Sequence, residues 1–501
     1  MANFILESRL YLSDVEKGFL DRKFYAANKL YNNMVTHANE LLEKVFSDEN
    51  YLNFLKLYNE EKDEVLKKQY GSELNKIRAA YGLTKYDLEA YCKIQRNESL
   101  HRYIDANTAQ KMAARVWQSV ESCLFGNGKK VRYKKIKDLH SIEGKSNTTG
   151  IRFSKELNCV LMNNMKFPIK VRKTDTYKQK ALEHDIAYCR IIRKPHKTGM
   201  KYYVQLVMKG YPPEKENRTL GNGRVGIDIG PSAIAIVSDS EVIMEKLSPN
   251  TIKSVNKQIA DIQRKMDKSR RATNPNCYNE DGTIKKGAKF KYSKNYIKLR
   301  QELRNLYRIK DCYLTEYQNR LAKKIVSTGD DAAAETINFV AWMRRSKKAA
   351  EKSSKTRTIT KPNGETKVIS LNKKKKRFGA SMMNNRPSSL MSRVAQIYGY
   401  YSKEITYLNT QKLKLSQYNH DTDTCTPVKL SDREKQIAGK TVQRDTYSAF
   451  LAYNYKDVDN IDRDRCFNTF DKFVENQNLC IRNLELRGDS YPSCMGIKNN
   501  K

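Results

Sequence analysis

The stretch RVGIDIGPSAIAIVSD, from Arg224 to Asp239, constrains this chain more than any other. Val225, Ile227 and Ile229 alternate with Gly226, Asp228 and Gly230, which predicts a strand; a Pro-Ser turn then leads into a second apolar run, Ala233 to Val237. Alternation sets Asp228 on the face opposite Ile227 and Ile229. A carboxylate in the middle of an apolar strand is costly unless something neutralises it, and a divalent cation is the usual partner. The competing reading is an ordinary hydrogen-bonded or turn-edge aspartate.

A strand, small-residue turn and strand of this kind also open sugar kinases and actin-like ATPases, whose sheet is ribonuclease H-like. The motif therefore speaks for a sheet more than for an activity. An actin-like ATPase needs further glycine-rich phosphate loops, and residues 240–501 offer none.

Charge narrows the choice of partner. Over 501 residues, room for roughly three domains, 95 Lys and Arg oppose 56 Asp and Glu, for a net charge of +39. Self-repulsion on that scale destabilises a compact fold unless a polyanion is bound. The 31 tyrosines add stacking faces and phosphate-contacting hydroxyls, so a nucleic-acid partner is expected. Ten cysteines are scattered from Cys92 to Cys494 with no CxxC pair, and neither a disulfide framework nor a zinc ribbon follows from such spacing. MANFILESRLYLS has no signal-peptide pattern, and no apolar run approaches the roughly 18 residues of a membrane span. The expectation is a cytoplasmic, nucleoid-associated protein with reduced thiols and no membrane partner.

In chain order, residues 4–12 read as a strand. Ser13-x-x-Glu16 is a capping box opening a long helix, with Phe19, Leu20, Phe24, Ala27, Leu30, Tyr31 and Met34 at three- and four-residue steps. Further helices are expected near 53–69, 84–96 (capped by Thr84) and 106–124. From 150 to 210, short alternating runs separated by turns predict a small antiparallel β unit, a barrel that takes in the first strand. The domain reading is a β-barrel wedge (1–13 and 126–215), a helical lobe (14–125) and a sheet-bearing domain (216–501). Within the last, Ile252, Val255, Ile259, Ile262 and Met266, then Leu299, Leu303 and Leu306, make a helical hairpin over 250–325. Arg264, Lys268, Arg270 and Arg271 on it, with Lys374, Lys375 and Arg377 further on, are candidate nucleic-acid contacts. Residues 343–377 are Lys- and Ser-rich and are expected to form no packed structure.

Two further acids complete a candidate site. Glu335, in AAAETINFVAW, ends a small-residue stretch read as a buried strand; Asp445, in VQRDTYSAFLAYN, falls at a helix start. Taken locally, Glu335 reads as a surface residue and Asp445 as an N-cap. Asp457, Asp459, Asp462 and Asp464 are the alternatives to Asp445.

In order and spacing, VGIDIG, AETINF and QRDTYSAF resemble the split RuvC nuclease of TnpB proteins and the compact type V CRISPR effectors. That resemblance spans essentially the whole chain. It implies a multidomain α+β protein: a ribonuclease H-like (RuvC) nuclease domain with a β-barrel wedge domain and a helical recognition lobe. Asp228, Glu335 and Asp445 would be the catalytic metal ligands for two Mg²⁺ ions, with Mn²⁺ as a substitute. The implied activity is RNA-guided endonucleolytic cleavage of double-stranded target DNA, with a guide RNA as partner; the alternative is a nuclease-inactive guided repressor. Residues 343–377 would be a lid over the metals, and about 411–441 a reduced target-nucleic-acid-binding insertion. That insertion holds only Cys425 and His420 where the family has four zinc-binding cysteines, so no zinc is expected. Tyr447 and Ser448 replace the family's Asn and Ala.

Overall fold

A computed structural model describes residues 3–126, 128–213, 219–343, 352–360, 366–372, 378–429 and 431–497. They fall into two compact units, Met1–Glu214 and Lys215–Lys501. Among the described residues, no helix is long and apolar enough to cross a membrane.

The first unit opens with β1 (Asn3–Arg9), followed by α1 (Asp14–Phe46), α2 (Glu49–Glu60), α3 (Glu64–Ala80), α4 (Lys85–Ser99) and α5 (Ala106–Leu124). α1 starts at the expected box: the Glu16 amide donates to Ser13 Oγ, and the Ser13 amide donates to the Glu16 carboxylate at 2.7 Å. The one helix expected over 53–69 is two. Asp63 accepts from the Val65 and Leu66 amides and so restarts the chain as α3.

Then come β2 (Ser141–Glu143), β3 (Arg152–Ser154), β4 (Cys159–Met162), β5 (Met165–Pro168), α6 (Thr176–Glu183), β6 (Ile186–His196) and β7 (Gly199–Lys209). The expected barrel is not closed. One sheet runs β1-β7-β6-β2 and a separate one β3-β4-β5, bridged at Leu10 and Ile169. β2 and β3, three residues each, are too short to carry a ladder from one sheet to the other. Helices serve as the missing wall: Phe24 of α1 packs on Tyr202 of β7 and Phe19 on Phe167 of β5, within one core shared by helices and strands.

The second unit begins with β8 (Arg224–Ile229), β9 (Ala233–Ser238) and β10 (Val242–Lys246), a meander. α7 (Thr251–Thr273) and α8 (Lys294–Val326) form the expected hairpin, joined through Val255, Ile259, Ile262, Met266, Leu299 and Leu306. β11 (Asp331–Glu335) then lies parallel to β8. After α9 (Phe339–Met343), the segment expected to stay unstructured carries an antiparallel pair, β12 (Lys352–Thr360) and β13 (Thr366–Asn372). Its Thr, Ile and Val residues favour strands. Lys374, Lys375 and Arg377 lie outside the described residues.

Next are α10 (Gly379–Asn385), α11 (Pro387–Gly399), β14 (Ile405–Leu408), which pairs parallel with β11, and α12 (Thr410–Leu413). The short pairs β15 (Tyr418–Asn419) with β16 (Thr424–Cys425), and β17 (Glu434–Ile437) with β18 (Lys440–Gln443), lead to α13 (Arg444–Tyr453). A last pair, β19 (Tyr455–Asp457) and β20 (Asn460–Ile461), precedes α14 (Arg463–Arg487).

The central sheet has the order β10-β9-β8-β11-β14. Its two faces bury different helices. Val225, Ile227, Ile229, Ala332 and Ala334 face α8 and α11, while Ala333 and Leu408 face α13 and α14.

Candidate active site

Strand alternation decides where the acids point. Ile227 and Ile229 are committed to the α8/α11 face, so Gly226 and Asp228 take the other. By the same count Ala332 and Ala334 place Ala333 and Glu335 on the α13 side. Ala334 pairs with Ile227 across the parallel ladder, so Glu335 and Asp228 follow at the next register position of adjacent strands, about 5 Å apart in backbone.

α13 brings the third acid to that face because Gly226 lets it come close. A methyl group on Gly226 would overlap the Ala449 carbonyl oxygen and the Tyr453 amide nitrogen. Asp445 sits in the first turn of α13 but does not cap it; Gln443 does, its side chain accepting from the Thr446 amide at 2.7 Å. Asp445 is thereby left to the cavity. One hollow of about 820 Å³ is lined by Asp228, Glu335 and Asp445, with Trp342, Phe378 and Arg433.

Electrostatics within it are unbalanced. Burial, then the charges of Asp445 and Glu335, hold the Asp228 carboxyl well above the usual carboxylate range, and Arg444 pulls it back only in part. Burial also raises Glu335, offset only in part by a hydrogen bond donated by the Leu415 backbone amide. Among the described residues, no donor is hydrogen-bonded to the Asp228 carboxylate. Asp445 is held instead by Arg444, whose Nη2 and Nε donate to Oδ1 at 2.8 and 3.0 Å.

A partly buried carboxylate without a donor, beside two further hard oxygen donors, suits a divalent cation. The donors are not gathered, however: among the described residues, no three His, Cys, Asp or Glu side chains stand close enough to hold a metal ion as they lie. Arg444 occupies only Oδ1 of Asp445.

The alternative acids go elsewhere. Asp462 caps α14, Asp457 accepts from Asn460, and Asp459 pairs with Lys412; Asp464 is in the first turn of α14, and none of the four lines the cavity. His420 is fully buried among Phe450, Phe467 and Phe470. The Tyr447 hydroxyl accepts from the His420 amide at 3.1 Å and bonds its Nδ1 at 2.7 Å. Tyr447 thus ties the segment around His420 to α13, while Cys425 is exposed.

On the helical hairpin, Arg264 is paired with Asp261, and Arg270 and Arg271 share Asp267. Lys268 is exposed. Three of these cations thus already have carboxylate partners. Sequence reasoning did not single out Arg433, Arg444, Trp342 or Phe378; Arg444, directly before Asp445, had the clearest signal.

No protein-family model matches the chain, and no curated protein matches it in sequence. Among solved structures, it is similar to one described as a cryo-EM structure of the Cas12f1-sgRNA-target DNA complex. Identity is 11% and the TM-score 0.41, over 89% of this chain and 98% of that one. A second, a cryo-EM structure of a CRISPR-Cas12f ternary complex, gives 12% identity and a TM-score of 0.27, over 90% and 99%. Likeness of this degree decides neither family nor function.

Proposed function

We propose that this chain is a metal-dependent, RNA-guided DNA endonuclease whose five-stranded sheet is a ribonuclease H-like (RuvC) sheet. The observation that carries the nuclease reading is the convergence of Asp228, Glu335 and Asp445 on one cavity, the first two on adjacent parallel strands and the third on the helix packed against them. The net charge of +39 supports a polyanionic partner. The guide RNA and double-stranded target rest on the resemblance in motif order.

Asp228, Glu335 and Asp445 would hold two Mg²⁺ ions, whose chemistry when bound would be to acidify a water and to offset charge on the departing oxygen. Arg433 and Arg444 line the same cavity and would offer guanidinium donors to the phosphate. The partly buried walls limit water around the charges and strengthen every such contact.

The Arg444–Asp445 pair favours a second reading, a guided DNA-binding repressor in which Asp445 stays neutralised. The test is incubation of the protein and its copurifying RNA with a matched DNA duplex in Mg²⁺. The nuclease reading expects cleavage that Asp228→Ala abolishes while duplex binding persists. Binding without cleavage in the unaltered protein favours the repressor; full-rate cleavage by Asp228→Ala removes Asp228 from the site.

A further inference from the structure

The candidate site is larger than a pair of hydrated ions needs, and two of its walls are aromatic. Trp342 and Phe378 line the same hollow as the three carboxylates, their ring centroids 6.4 Å apart at 53°. Phe339 braces the indole edge-on, 5.6 Å away at 83°. Phe339 itself packs against the core beneath the sheet, but Trp342 and Phe378 belong to none of the apolar cores of the described residues. Both rings are half-buried and, among the described residues, packed into no apolar core, so they are available to a ligand in the cavity they share with the acids.

Arg433 lines the cavity too. Its carbonyl accepts from the Arg444 amide at 2.8 Å, which fixes its backbone beside α13. Among the described residues its guanidinium has no carboxylate partner, unlike Arg444. An aromatic platform, an uncommitted guanidinium and a cation-seeking acid cluster match the base, the phosphate and the bond to be cut of one nucleotide.

We propose that Trp342 and Phe378 form a stacking subsite for a nucleobase of a single DNA strand, with Arg433 on its phosphate. A base within a duplex has both faces covered by its neighbours, so only an unpaired one can use this platform. The inference deepens the nuclease reading and rests on it. Trp342 and Phe378 are positioning residues, which set the register of the strand against the acids.

Trp117 and Trp342 are the two tryptophans of the chain, so Trp117→Phe leaves Trp342 as the sole indole reporter. That full-length variant is titrated with a thymidine oligonucleotide of ~12 nucleotides, a length within single-strand site sizes, with Ca²⁺ replacing Mg²⁺ to slow hydrolysis. Trp342 emission should be quenched by the thymidine strand and not by an abasic strand of equal length, which should bind ~10-fold more weakly. Trp342→Ala should raise KM for a single strand ~10-fold with kcat changed less, and Trp342→Phe should restore most of it. Equal quenching or affinity for both strands overturns the subsite, as does cleavage with an unchanged KM in Trp342→Ala; the nuclease reading survives either. Base-dependent quenching in a protein that cuts no strand in Mg²⁺ upholds the subsite and removes the nuclease reading.

Discussion

Two partly buried aspartates, one in each unit, show how differently the same side chain can be used. Asp105 in the first unit is surrounded by donors. Lys23 Nζ lies 3.3 Å from it, and the Thr108 amide and hydroxyl donate to it at 2.9 and 2.7 Å. Burial alone would raise its carboxyl, but Lys23 and Thr108 outweigh burial and hold it below the usual range. Burial depresses Lys23 in turn, and the charge and hydrogen bond of Asp105 offset that only in part. Asp228 has the reverse surroundings, two acids and no bonded donor, and is raised. One carboxylate stabilises its fold as it stands, and the other is costly as it stands, a cost that a bound cation would offset.

The widest separation between them should appear in activity. Asp228→Asn should lower Mg²⁺-dependent cleavage of a matched duplex by on the order of 1,000-fold or more, as loss of a metal ligand does. Asp105→Asn, assayed below its melting temperature, should leave the rate within about threefold; comparable losses in both would erase the distinction.

In stability the roles exchange. Asparagine can still cap α5 at position 105, so Asp105→Asn removes the charge alone and strands Lys23. Chemical denaturation should register a loss of about 2–3 kcal/mol, at or below the bottom of the range of about 3–5 kcal/mol for a broken buried pair because Asp105 is partly exposed. Gly226→Ala tests the close approach that brings Asp445 to Asp228. It should cost about 1–3 kcal/mol through overpacking and reduce cleavage as well. A stable, fully active alanine variant would mean that α13 can shift at no cost to the site.

Asp228→Asn should do the opposite of Asp105→Asn and raise the metal-free melting temperature slightly at neutral pH. The signs differ with pH as well. Asp105, depressed in the fold, stabilises above its unfolded value, and that contribution is lost as pH falls through its folded one. Asp228, raised in the fold, costs nothing while protonated in both states; its penalty grows as pH climbs from the ordinary carboxylate range through its raised value. Melting curves from pH 3 to 8 should therefore show the Asp228→Asn gain vanishing in acid.

Much of this geometry was legible in the chain. Alternation of Val225, Ile227 and Ile229 set the face of Asp228, and the Ser13–Glu16 box set the start of α1, because both signals are local. The barrel was misread because strand pattern does not show whether edges meet; three-residue β2 and β3 leave that role to α1. Asp445 looked like a cap because a helix start and an acid coincide there, yet the Gln443 side chain reached the Thr446 amide first. The pair-forming Arg444, the close fit at Gly226 and the rings of Trp342 and Phe378 depend on packing between distant segments, which no local pattern carries.

The central claim is that Asp228, Glu335 and Asp445 jointly bind divalent cations, and Mn²⁺ titration followed by electron paramagnetic resonance tests it most directly. Two Mn²⁺ ions per chain with a spin-coupled spectrum, lost in Asp228→Asn and in Asp445→Asn, is the predicted result. Uptake of no Mn²⁺, or the same uncoupled signal in the unaltered chain and both variants, would contradict it.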